Sequence, residues 1–268
     1  MRKTVFYYIV LIFLFASCEK VIHVDLNEAN PQIVVDAQLS DTGDGMGHAV
    51  VRLSWTAGFY DTTITPVSQA KIKITDPRGH IYNFTEIRPG IYISTNSAAM
   101  QQGDIYELEI QAEGKTLTAS SSLPQRVDID SVNYGIFNFG PHGGEGNTIS
   151  CFFTDPAGQK NYYQLNLYVN GTPQFGYFIT RDDGVDGKSV EYIFHQNPLF
   201  DSSRVTVELN TLDEVAFEYY KVLWDNQPQG GMPAAPGNPP SNIKGDGIGL
   251  FRATNLDREE IIVPEFVP

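Results

Sequence analysis

From Gln32 onward, apolar residues recur at every second position, and this period of two restricts what the chain can fold into more than any other feature. Ala49, Val51, Leu53 and Trp55 alternate with His48, Val50, Arg52 and Ser54. Ala70, Ile72 and Ile74 alternate with Lys71 and Lys73, and Tyr106, Leu108 and Ile110 follow the same rule. Side chains of an extended chain point alternately to opposite sides, so this pattern marks strands with one face buried and one wet. Turn signals punctuate them: Asp41 to Gly47 holds three glycines, Asp76-Pro77-Arg78-Gly79 and Pro89-Gly90 follow, and then Gly103-Asp104 and Gly114-Lys115.

Six or seven short strands at this spacing predict an antiparallel β-sandwich of the immunoglobulin or carboxypeptidase-regulatory type over residues 32–124. Beyond Pro124 the pattern continues less regularly. Val127, Ile129 and Val132 begin a strand, and 134–147, rich in glycine and aromatics, reads as a long loop. Further strands are expected over 149–153, 162–169, 175–179, 190–194 and 204–209. One helix is expected over 212–227, capped by Thr211 or Asn210, with Val215, Tyr219, Val222 and Leu223 as its buried stripe. The proline- and glycine-rich stretch 228–240 cannot be regular structure. A late strand over 248–253 and an edge strand or tail at 261–263 complete a second antiparallel β domain, residues 125–268.

The start of the chain has a different character. Arg2 and Lys3 precede an unbroken apolar run, 5–16, followed by Ala16-Ser17-Cys18. The run is too short for a spanning helix, which needs about 20 apolar residues, and reads as a signal peptide over 1–17. Leu14-Phe15-Ala16-Ser17-Cys18 resembles a bacterial lipobox, implying thioether lipidation of Cys18, cleavage before it and acylation of the new N-terminus, as with palmitate. Phe15 departs from the usual aliphatic residue. Residues 18–31 are then a lipidated tether, and several acyl chains make such attachment lasting. An ordinary secretory leader is the alternative.

Removing 17 residues takes the formal charge from −14 to −16, because Arg2 and Lys3 are lost and no acid is. Such a chain as a whole repels nucleic acid and anionic lipid. With Cys18 lipidated, Cys151 has no disulfide partner, and it shares a strand face with Ile149 and Phe153, as a core residue does.

Few residues suggest chemistry. Asp182, Asp183 and Asp186, spaced by glycines, present oxygen ligands on a turn and are candidates for a Ca²⁺ loop; a solvated hairpin is the competing reading. His23, His48, His80, His142 and His195 show no metal-ligand spacing. No nucleophile elbow, phosphate loop or paired-carboxylate pattern is present, so the chain is read as a non-enzyme with no cofactor. Tyr134, Phe137 and Phe139 in the long stretch, with Trp224 on the helix, are candidate partner contacts, because aromatics bury large area at small entropic cost. A local aromatic cluster covering the second domain is the alternative.

Several segments resemble one family in order. Asp155-Pro156-Ala157-Gly158 followed by Asn161-Tyr162-Tyr163, the helix with Glu218-Tyr219-Tyr220, and Asn242-Ile243 leading to Gly247-Ile248-Gly249-Leu250-Phe251 are similar to the motifs of domain-of-unknown-function family four-two-four-nine. The resemblance implies a lipoprotein of the bacterial outer membrane, lipid-anchored and often encoded beside a TonB-dependent receptor. It implies no catalytic residue. The expected function is therefore an accessory or binding protein for a TonB-dependent nutrient transporter, handling the receptor or a small-molecule or glycan ligand. The alternatives are a surface adhesin or glycan-binding module and, weakest, a hydrolase built from distant residues.

Overall fold

The computed structural model describes residues 30–58, 63–138, 145–196, 202–227 and 237–264. Seven strands form the first part: β1 (Ile33–Asp41), β2 (Gly47–Trp55), β3 (Lys71–Thr75), β4 (Ile81–Arg88), β5 (Ile91–Ser94), β6 (Ile105–Ala112) and β7 (Lys115–Ser122). Then follow β8 (Ile129–Asn138), β9 (Glu145–Thr154), β10 (Tyr162–Val169), β11 (Thr172–Pro173), β12 (Phe178–Arg181), β13 (Ser189–Gln196), β14 (Arg204–Leu212), the helix α1 (Glu214–Asp225) and β15 (Gly247–Ile262). The fold is mostly β, with α1 the single helix among the described residues.

Twelve strands join in one sheet, ordered β11-β10-β14-β15-β1-β2-β5-β4-β3-β6-β7 with β12 beside β10; β13-β9-β8 make a second, three-stranded sheet. The alternation seen in the sequence sets the layers. Val35, Ala37 and Leu39 of β1 and Val51 and Leu53 of β2 meet Leu108 and Ile110 of β6 and Leu117 of β7, so β3-β6-β7 folds over β1-β2-β5-β4 around a first core. Tyr163, Leu165 and Leu167 of β10 and Val205, Val207 and Leu209 of β14 meet Ile149, Cys151, Phe153 and Phe194 of the small sheet in a second core.

The strand that binds the two is β15. Its first nine residues run parallel to β1, from Ile33↔Gly247 to Asp41↔Asn255, and the rest pairs antiparallel with β14. The two short segments expected near the C-terminus are thus one strand of 16 residues, and the expected all-antiparallel pairing has this one parallel exception among the described residues. The expected boundary at residue 124 falls between the cores, yet Ile243, Phe251 and Ala253 from beyond it lie in the first core.

The parallel pairing explains the glycines of the C-terminal motif. A Cβ on Gly249 would sit 2.0 Å from the Val35 carbonyl oxygen, and its φ of +124° favours glycine besides. Asn242 closes the same corner by acting as a strand residue would: its side chain donates to Phe251 O at 2.7 Å and accepts from Phe251 N at 2.9 Å. Its partners lie nine residues along the chain, not in its own turn.

Two other expectations need correction. Tyr134 and its neighbours up to Asn138 belong to β8, and Glu145 to Asn147 to β9, so most of 134–147 is a long hairpin rather than a loop. The helix begins later, because β14 stays paired with β10 through Leu212; Asp213 caps it by accepting from Ala216 N at 2.8 Å. Its buried residues are Ala216, Phe217 and Tyr220, while Val215 is exposed and Tyr219 and Leu223 are only partly buried.

Candidate interaction surface

The small sheet uses its two faces differently. Directly paired residues share a face, so Tyr134, Ile149 and Phe194 point inward together, as do Val132, Cys151 and Tyr192. On the outer face lie Asn133, Ser150 and Ile193, then Gly135, Thr148 and His195, then Phe137. Phe137 and Ile193 are each 44 % exposed, while Ile136, exposed as well, projects from the opposite face of β8 near its end. The His195 ring stands edge-on to Phe137 at 5.7 Å between centroids. The result is an aromatic and aliphatic patch toward the outer end of a hairpin, with hydroxyls and amides beside it.

Of the residues expected to meet a partner, Phe137 is on this patch. Tyr134 faces the core instead, its hydroxyl accepting from Asn147 Nδ2 at 2.6 Å. Phe139 lies outside the described residues. Trp224 is exposed near the end of α1, across the long sheet from the patch: Tyr163 of β10 points into the second core, whereas its neighbour Tyr162 packs on α1. The four candidates therefore do not form one surface. Ile193, which belongs to the patch, carried no signal beyond strand alternation.

The acidic loop is rearranged as well. Asp182 and Asp186 come together with Asp155, their carboxylates within 4.8 Å of one another, while Asp183 turns away to Arg181 at 2.6 Å. Asp155 is only 1 % exposed and accepts from the Tyr163 hydroxyl at 2.5 Å and from Gly187 N at 3.2 Å. Asp186 accepts from Gly158 N at 2.7 Å and Asp182 from Asn161 N at 3.2 Å. Three carboxylates in this arrangement suit a hard divalent cation, but each already holds a donor. Their present work is to latch the 155–158 turn to the 182–187 turn, which also gives the aspartate, asparagine and second tyrosine of the Asp155 to Tyr163 motif a structural role. Burial, with the bond to Asp155, pushes the Tyr163 phenol far above its ordinary range.

On the α1 side of the long sheet a polar seam lies beside a third, smaller apolar cluster of Tyr162, Leu212, Ala216, Phe217, Tyr220 and Leu250. Arg252 of β15 donates to Asp36 at 2.9 Å and Gln38 at 2.7 Å and lies 5.4 Å over the Tyr220 ring. Arg52 reaches Asp36 from the far side at 3.2 Å. Burial would raise the Asp36 pKa, and the two guanidiniums outweigh it and hold the carboxyl below its ordinary value. The seam joins β2, β1, β15 and α1. Polar residues at even positions inside apolar strands were the sequence signal for it.

The motifs thus have structural roles that a family would share, and the sequence carries them in the right order. Residues 19–260 match the model of the family described as Domain of unknown function (DUF4249). The chain belongs to that family. No curated protein matches it. Within this DUF4249 protein, the outer face of the small sheet carries Phe137 and Ile193 exposed side by side with polar residues.

Proposed function

We propose that this DUF4249 protein is a lipid-anchored protein of the bacterial outer membrane that serves a TonB-dependent nutrient transporter as accessory or binding partner. The leader ending in Ala16-Ser17-Cys18 supports the anchor. What supports a partner is the pair Phe137 and Ile193, because exposed apolar residues grouped on one sheet face mark interaction sites more often than single ones do. Its mixture of an aromatic, an aliphatic and flanking hydroxyls suits a protein surface better than a small polar solute.

The test is a mild-detergent pull-down of the tagged protein from its own outer membrane, beside a Phe137→Asp/Ile193→Asp variant. Both positions are outward-facing, so the variant keeps its cores. Recovery of a large TonB-dependent barrel with the wild type and its loss with the variant is the expected result. Equal recovery with both would remove the patch from the reading, and no barrel with either would remove the transporter.

A further inference from the structure

Residues 30–32 lead into β1. Gln32 N donates to Thr56 Oγ1 at 3.0 Å and Thr56 N to Gln32 O at 2.9 Å, while Trp55 N donates to Thr65 O at 2.8 Å. The β2–β3 connection is thereby pinned against the incoming chain. Between them lies an open hollow of about 480 Å³ lined by Pro31, Trp55, Thr56, Thr65 and Lys115. Trp55 packs one part of its ring on the first core and is otherwise accessible, with Lys115 Nζ 5.3 Å from the ring centroid. Ile64, one residue before Thr65, is 77 % exposed. Lys71 and Lys115 line the neighbouring hollow, and Lys71 has no ion pair among the described residues. Glu113, Asp246 and Glu86 are acids close by, Asp246 bound to Lys115 at 2.5 Å and Glu86 accepting from Gln69 N at 3.0 Å.

We propose that this pole is a membrane-contact surface whose partner is the phospholipid headgroup layer of the leaflet that holds the anchor. The inference rests on lipidation of Cys18 and adds to it where on the fold the bilayer is met. Cys18 and Asn30 are separated by 11 residues, which span at most roughly 40 Å when fully extended. That short lead attaches at this pole, so the bilayer is presented to it at an effective concentration on the order of millimolar, and a weak affinity suffices. The chemistry suits the site. An indole and an aliphatic side chain enter the region between headgroup and acyl chain, while lysines beside them meet phosphate oxygens. The chain as a whole is strongly acidic, which keeps most of its surface off an anionic membrane, whereas at this pole lysines and acids are balanced and a zwitterionic headgroup layer is not repelled.

The test follows Trp55 fluorescence in a Trp224→Phe background, with the mature chain held on zwitterionic vesicles in two ways. One is its native lipid; the other is an N-terminal histidine tag on nickel-chelating lipid, which supplies a tether whether or not Cys18 is modified. Contact predicts a blue shift of Trp55 and quenching by lipid brominated near the headgroup. It also predicts roughly tenfold weaker partition of the untethered chain when Ile64→Asp removes the inserted side chain. Because Ile64 is exposed, that variant leaves the fold intact. A tag-tethered chain whose Trp55 is neither shifted nor quenched overturns the proposal and leaves the anchor untouched. Quenching in the tagged form together with an unmodified Cys18 peptide by mass spectrometry upholds the surface and overturns the anchor.

Discussion

Asp213 is the residue at which the helix and the first core are most directly coupled, and replacing it by alanine has a calculable cost. One carboxylate oxygen caps α1 through Ala216 N; the other accepts from the Ser121 hydroxyl at 2.6 Å and from Ser122 N at 3.2 Å, both on β7. Losing an N-cap costs about 1 kcal/mol. Leaving the buried Ser121 hydroxyl without its charged acceptor costs about 2 kcal/mol more. A total of about 3 kcal/mol corresponds to a fall in Tm of roughly 6–12 °C for a chain of this size. Asp213→Asn keeps the cap but weakens the β7 bonds, and should cost about 1 kcal/mol. The assay is thermal and urea unfolding of Asp213→Ala, Asp213→Asn, Ser121→Ala and the Ser121→Ala/Asp213→Ala double variant. A coupling of about 1 kcal/mol or more between Ser121 and Asp213 is expected. If the two losses simply add, or if Asp213→Ala melts with the wild type, the carboxylate does not bridge helix and sheet as argued.

Gly249→Ala should destabilise by about 3 kcal/mol or more, since its Cβ meets the Val35 carbonyl, whereas Gly114→Ala, left-handed at φ +71° but with open space around it, should cost only about 1–2 kcal/mol; equal melting of the two would refute the close approach of β15 to β1. Burial, with Asp257 and Asp130 nearby, pushes the Cys151 thiol up to about 12, so iodoacetamide at pH 8 should leave it unlabelled until the protein is unfolded, and labelling of the native chain at a free-thiol rate would count against a closed second core. Burial alone would raise the Asp76 pKa, but bonds from the His80 and Arg78 amides and the Arg78 guanidinium outweigh it and hold the carboxyl below its ordinary value. A lowered folded pKa gives stability that is present above the unfolded value of roughly 3.9 and lost as pH falls through the folded one. The gap in urea midpoint between wild type and Asp76→Asn should therefore hold at about pH 6 and narrow as pH falls below about 4, and a gap that stays constant down to about pH 2.5 would contradict this.

How far the sequence could be read depended on the distance over which each feature is decided. The strands from β1 to β7 were legible because alternation and turn residues are local, and Cys151 was placed in the core by its neighbours Ile149 and Phe153. Alternation assigns faces but not neighbours, so the parallel pairing of β1 with β15, more than 200 residues apart, left no local trace beyond glycines whose need for space was visible and whose cause was not. The helix stripe was misplaced because tertiary pairing of Leu212 with Tyr162 delays the first turn to Asp213 and turns Ala216, Phe217 and Tyr220 inward. Asp155 joined the acidic loop in place of Asp183 for the same kind of reason, a meeting of two turns far apart in sequence. Ile193 came to stand on the same outer face as Phe137 only through the order β13-β9-β8, which no spacing reveals.

The proposed location hangs on Cys18, so the most direct measurement is the mass of the protein isolated from its own membranes. The account predicts a chain that begins at Cys18 and carries a diacylglyceryl thioether and an acylated amine, lost from the membrane fraction in Cys18→Ala. A mature N-terminus elsewhere, or a free Cys18 thiol on a protein that still fractionates with the membrane, would contradict it.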